Sequence, residues 1–179
     1  MTMTLDGTNG VTFNDTSLQG AAASPFGLKN RIINGAMVVD QRNAGASVSI
    51  STSANLYTLD RWQAQGTASA GVYTVQRSAT APSEFVNSFL ATVTTADASL
   101  AAGDLYSIGQ FIEGSNVVDL GWGTASAKTV TISFWVRSSV TGTFGGSVAN
   151  SAYSRSYPFT YTISVANTCL LYTSPSPRD

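Results

Sequence analysis

The chain of 179 residues contains no histidine. That excludes Ser-His-Asp triads, histidine-ligated metals and the commonest general base. Its single cysteine, Cys169, excludes an intrachain disulfide and any zinc site built on a cysteine cluster. Charge is scarce: 11% of residues are charged and the formal net charge is -1. Such a chain exerts little long-range attraction on nucleic acid or an acidic membrane, so neither is an expected partner. No apolar run approaches the ~20 residues of a membrane span, so insertion is not expected. The opening residues MTMTLDGTNG have neither a basic start nor an apolar stretch and do not read as a secretory signal.

Ser, Thr, Gly, Ala and Asn fill the polar positions instead, and the patterning is that of β-structure. Val130, Ile132, Phe134 and Val136 alternate with Thr129, Thr131, Ser133, Trp135 and Arg137. Period two predicts a strand with one face in a core. Tyr153, Tyr157, Phe159, Tyr161, Ile163 and Val165 mark a second long strand, in which Pro158 predicts an edge or a bulge because it cannot donate to a ladder. Further strands are expected over Ile32–Val39, Ala64–Ala68, Val72–Arg77, Ser88–Thr94, Leu105–Ile112 and Gly142–Val148. Clusters such as Ala81-Pro82-Ser83 and Glu113-Gly114-Ser115-Asn116 separate them. Short strands at this spacing suggest an all-β sandwich or barrel. No stretch sustains a helical period, although Asp97 could N-cap a single turn.

Residues 30–62 read NRIINGAMVVDQRNAGASVSISTSANLYTLDRW. An Asn-Gly in an apolar run is followed by a Gln-Arg-Asn-Ala-Gly turn, a Ser/Thr-rich spacer, Tyr57 and Asp60-Arg61-Trp62. This resembles the opening of a β-sandwich module that recurs in bacteriophage and prophage tail-fibre proteins. GDLYSIGQFIEG, GWGT and KTVTISFWVRSS follow in that module's order, and LDGTNGVTF near the start is similar to shaft-like segments of such fibres. The resemblance implies a jelly-roll-like antiparallel β-sandwich of the galactose-binding type; such sandwiches often hold a structural calcium, but this sequence offers no ligand cluster for one, and no cofactor or metal is expected. It implies a non-catalytic adhesion part of the virion, made in the host cytoplasm and carried on the phage tail, that binds bacterial surface glycan as a homotrimer with other fibre subunits. Two alternatives stay open: an accessory domain of a glycan depolymerase, and a purely structural trimerising segment.

The expected organisation is a leader over 1–27, an incomplete sandwich over 28–168, and a last piece over 169–179. That last piece, CLLYTSPSPRD, resembles a translated sequencing adapter; a natural Ser/Pro-rich tail is the alternative. On the adapter reading the sandwich is truncated, and the protein is expected to continue beyond Thr168.

Candidate site residues follow from the chemistry of sugar binding, which needs a flat aromatic face beside polar groups. Trp122 lies in a glycine-flanked turn, and Trp135 shares the polar face of its strand with Arg137. Trp135 is either an exposed platform or packed under a second layer. Asp60 and Arg61 either supply hydrogen bonds at a sugar site, or hold neighbouring loops by an ion pair while Trp62 enters the core. Tyr153, Tyr157 and Tyr161 form a same-face ladder that suits a core or subunit interface. Paired carboxylates could hydrolyse glycosidic bonds, but Glu84 and Glu113 are the only glutamates and nothing in the sequence pairs them. Gly121-Trp122-Gly123 lacks the third glycine and following helix of a nucleotide loop.

Overall fold

The computed structural model describes residues 4–6, 10–12, 18–19, 29–68 and 70–175. The chain divides into two compact units, Met1–Arg31 and Ile32–Asp179. In the first, three short strands, β1 (Thr4–Asp6), β2 (Gly10–Thr12) and β3 (Leu18–Gln19), form an antiparallel sheet in the order β1-β2-β3. Leu5 pairs with Val11, and Val11 with Gln19. Phe13, expected in the second strand, lies outside the described residues.

The second unit holds ten strands. β4 (Val48–Ile50), β7 (Val72–Ser78) and β8 (Ser88–Thr95) make one antiparallel sheet in the order β4-β7-β8. β5 (Ser53–Leu59), β6 (Trp62–Thr67) and β9 (Leu105–Gly109) make another in the order β5-β6-β9. Ile50, Ala64, Tyr73 and Val75 from the two sheets form a buried cluster, with Val48, Ala54 and Phe89 against it. The alternation of β7 explains its place: Tyr73 and Val75 are buried while Thr74 and Gln76 are not. Each such aliphatic side chain contributes about 1.5–3 kcal/mol when fully buried. The architecture is thus the all-β, antiparallel, two-layered one that the periodicity predicts.

Two features fix how closely these layers meet. The Tyr73 hydroxyl crosses the core and hydrogen-bonds to the carbonyls of Gln65 (2.7 Å) and Ser107 (3.0 Å) on adjacent strands of the other sheet. Gly66 sits where any Cβ would collide with the Ser51 carbonyl oxygen and lie 3.3 Å from Ile50 Cγ2. At the rim, the Tyr106 ring meets Tyr73 edge-on at 6.3 Å, and its hydroxyl hydrogen-bonds to Asp97 Oδ2 (2.8 Å) and to the Ala70 carbonyl.

The remaining strands form two ribbons: β10 (Thr131–Val136) with β13 (Leu170–Pro175), and β11 (Gly142–Ala149) with β12 (Ser156–Ile163). Their inward positions bring Phe134, Phe144, Phe159, Tyr161 and Tyr172 into ring contact at centroid distances of 5.2–6.3 Å. Phe159 covers Gly146 on the partner strand, where a Cβ would come within 2.7 Å of its Cε2; an aromatic ring here fills the space a glycine leaves. Pro158 lies on β12, which pairs only with β11, so it occupies an edge as expected. Leu170–Pro175, set aside above as adapter-like, pairs with β10 along its whole length. An open strand edge accepts any alternating β-prone segment, so the pairing carries no information about the origin of those residues.

The structure corrects three local expectations. Ile32–Val39 is not a strand. Asn34 and Met37 adopt left-handed backbone (φ 55° and 54°), and the Asn34 side chain takes both the N–H (3.0 Å) and the C=O (2.8 Å) of Val39. Local side-chain bonding has displaced the ladder there. The Ser/Thr-rich spacer, conversely, carries β4 and the start of β5. Asp97 forms an Asx turn through Ser99 N–H (3.0 Å) in place of a helical turn. Among the described residues the only helical pieces are the 3-10 turns Gly114–Asn116 and Val118–Leu120.

Gly66→Ala is expected to cost about 1–3 kcal/mol, because the obstruction is backbone and cannot rotate away; urea denaturation of the two proteins measures it. A second expectation concerns alkaline stability. Burial, then the hydrogen bond to Asp97 and the charges of Asp97 and Asp104, push Tyr106 up to about 12, and burial raises Tyr73 as well. The folded state therefore holds these protons more tightly than the unfolded chain. The stability they contribute is full below about pH 10 and drains away as pH rises toward 12. Tyr106→Phe is expected to flatten that decline in melting temperature.

Candidate functional site

The turn between β5 and β6 is Asp60-Arg61, followed at once by Trp62, the first residue of β6, and each of the three fastens a different segment. Arg61 takes up left-handed backbone (φ 75°), which sends three successive side chains in divergent directions. Asp60 Oδ2 accepts from the Gln41 N–H (2.6 Å), and its carbonyl accepts from Asn34 Nδ2 (2.9 Å). Arg61 Nη2 donates to the Phe111 carbonyl (2.9 Å) and pairs with Glu113 Oε1 (2.7 Å). Trp62 donates from Nε1 to the Asn34 carbonyl (3.0 Å) and leans on Phe89 at 6.3 Å.

Asp60 and Arg61 thus hold loops, as the second of their two expected readings has it, although Arg61 pairs with Glu113 and not with Asp60. Glu113's own backbone N–H, and then the Arg61 guanidinium, hold the Glu113 carboxyl below the usual carboxylate range. The loop that Asp60 grips is braced from inside by Asp40. Its carboxylate receives the N–H groups of Asn43 (3.2 Å) and Gly45 (2.5 Å), and Arg77 Nε lies 3.9 Å away. Asn43 Nδ2 reaches the Thr58 carbonyl, and Arg77 Nη1 the Val38 carbonyl (3.2 Å). Gln110 pairs its amide with both backbone groups of Ile33, at 2.9 and 2.8 Å.

The aromatic candidates are placed differently. Trp122 is 45% exposed. Its Nε1 donates to the Lys128 carbonyl (3.0 Å), and Gly121 and Gly123 on either side take positive φ (61° and 82°). Lys128 N–H to Leu120 O (2.8 Å) closes the same turn over buried Leu120. The ring therefore has a fixed mount and a free face. Trp135 is 39% exposed on the outward face of β10. Its cross-strand partner is the exposed Leu171, so among the described residues no second layer covers it. Arg137 follows directly after the end of β10 and is exposed. Of the tyrosine ladder, Tyr161 lies among the rings between the two ribbons, where burial raises its pKa. Tyr153 is well exposed, with φ 53°.

One polar row escaped the sequence reading. On the outer face of the β5-β6-β9 sheet, Asn55, Gln65 and Ser107 lie side by side across three strands. Gln65 bonds to Gln63 (3.0 Å), Asn55 (3.5 Å) and Ser107 (3.2 Å). Tyr57 stands on that face with Arg42 over its ring at 5.5 Å. The signal was the alternation Asn55, Tyr57 on one side of the turn and Gln63, Gln65 on the other.

Asp60→Ala removes the acceptor of Gln41 N–H. It is expected to cost about 1–3 kcal/mol of stability and to loosen hydrogen-exchange protection over residues 34–45. Arg61→Ala is expected to release residues 111–113 in the same assay. Comparison of the chain with family models, with curated proteins and with solved structures finds no match.

Proposed function

We propose that this chain is a non-catalytic module that binds bacterial surface carbohydrate during host attachment, as part of a phage tail fibre. The reading rests on the tail-fibre resemblance of residues 30–168. The structural observation that carries it is the exposure of Trp122 and Trp135 on rigid mounts. A pyranose offers apolar C–H faces and a rim of hydroxyls, and an immobile indole meets the former at small entropic cost. Tyr57 is a weaker platform because Arg42 already occupies one face of its ring. Jelly-roll connectivity, homotrimeric assembly and location in the virion belong to the same proposal. Several shallow sites on one fibre gain avidity through effective concentration.

The state of the carboxylates supports binding over hydrolysis. A glycosidase needs one acid kept protonated beside a second carboxylate. Here Asp40 and Asp60 are committed to backbone N–H groups, Asp97 to Tyr106, and Asp104 to the Ala101 N–H. Glu113 is shifted toward the ionised form.

Host polysaccharide is expected to quench or shift the tryptophan fluorescence without release of reducing ends. Trp122→Ala or Trp135→Ala should weaken binding about tenfold, equivalent to ~1.4 kcal/mol, while Tyr57→Ala leaves it unchanged. Accumulating reducing ends would refute the non-catalytic reading, and unaltered affinity in the double tryptophan variant would refute the platforms.

A further inference from the structure

The charges of this chain are unevenly distributed along it, in a way that bears on the Trp135 platform. Between Asp119 and Asp179 there is no acidic residue, yet Lys128, Arg137, Arg155 and Arg178 fall in that span. In the preceding part of the chain the opposite holds for two arginines described above: Arg61 is paired with Glu113, and Arg77 lies beside Asp40. Arg137 has no hydrogen-bonding or ion-pair partner among the described residues and is exposed. It is the first residue past the end of β10 and continues the exposed alternation of Ser133 and Trp135, two positions after the indole. Ser133, two positions before Trp135 on the same exposed side of β10, supplies a hydroxyl. The face therefore presents one apolar ring, a neutral hydrogen-bonding group, and a cation with no internal counter-charge.

We infer that the Trp135–Arg137 face selects a carboxylated sugar, such as a hexuronate or sialate residue, over a neutral one. The inference rests on the carbohydrate-binding proposal and adds the ligand class. A pyranose lying on Trp135 directs an equatorial or C5-linked carboxylate along the strand toward Arg137. A guanidinium receives a carboxylate through two parallel N–H···O bonds, which fixes orientation as well as adding energy. No carboxylate of the chain lies on these strands to compete for Arg137 or to repel the ligand.

The test is an array of uronate- and sialate-bearing oligosaccharides printed beside their carboxyl-reduced, neutral counterparts, followed by titration of the best pair monitored by tryptophan fluorescence. The acidic form is expected to bind at least about tenfold more tightly than its reduced form and to lose that advantage in high salt. Arg137→Gln should bring the acidic form down to the affinity of the reduced one and leave the reduced form unchanged. Trp135→Ala should weaken both alike. Thermal melting of Arg137→Gln is expected to match the parent, since the side chain is exposed and unpaired, so a change in binding reports on the site. Equal affinity for the two forms, or an Arg137→Gln variant that keeps the preference, overturns this inference and leaves the carbohydrate reading standing. Binding to no sugar in either form overturns both.

Discussion

The Asp60-Arg61 turn, with Trp62 at the start of β6, is the constraint on which the β4–β9 sandwich depends. A turn between two strands normally closes one hairpin. Here the left-handed backbone at Arg61 turns it into a junction. Through Asp60 it fixes the 34–41 loop, through Arg61 the segment after β9, and through Trp62 the carbonyl of Asn34 and the ring of Phe89 on the opposite sheet. Neutral hydrogen bonds contribute roughly 1 kcal/mol each, but they converge on two loops that have no strand partners of their own. Without the junction, the Gln41 N–H would have to be satisfied by water.

The polar framework matters because the apolar core is small. The buried cluster amounts to a few side chains from each sheet, and many large apolar residues stay partly exposed. Layer spacing is consequently set by specific contacts more than by bulk: the Tyr73 hydroxyl bridging to Gln65 and Ser107, and the missing Cβ of Gly66 that admits the Ser51 carbonyl. The β10–β13 ribbons use another solution, in which aromatic rings in mutual contact and a glycine under Phe159 take the place of a dense aliphatic core.

Charge is scarce in the chain, and the carboxylates of Asp40, Asp60, Asp97 and Asp104 accept from backbone N–H groups. The perturbed groups here are tyrosines at sheet contacts and a glutamate in a loop clamp, and each perturbation has a structural cause. Rings that remain exposed while their N–H groups or strands are fixed are the features left over once folding is accounted for.

Period-two alternation made most strands legible from Val72 onward, because one buried face leaves its mark at every second position. Pro158 at an edge was equally readable, since the missing N–H is a local property. Ile32–Val39 was not: its apolar run satisfies a strand pattern, and only the positive φ of Asn34 and its side-chain bonds to Val39 reveal a loop. The Asp60-Arg61-Trp62 motif stood out in the sequence, but its role turned on partners 20 to 50 positions away. The sequence alone determined an antiparallel β protein without histidine chemistry or disulfides, because composition and periodicity are properties of single positions and neighbours. Only the tertiary structure decided which indoles stay exposed and which charges are already spent, because burial and pairing depend on what distant segments bring to the same place.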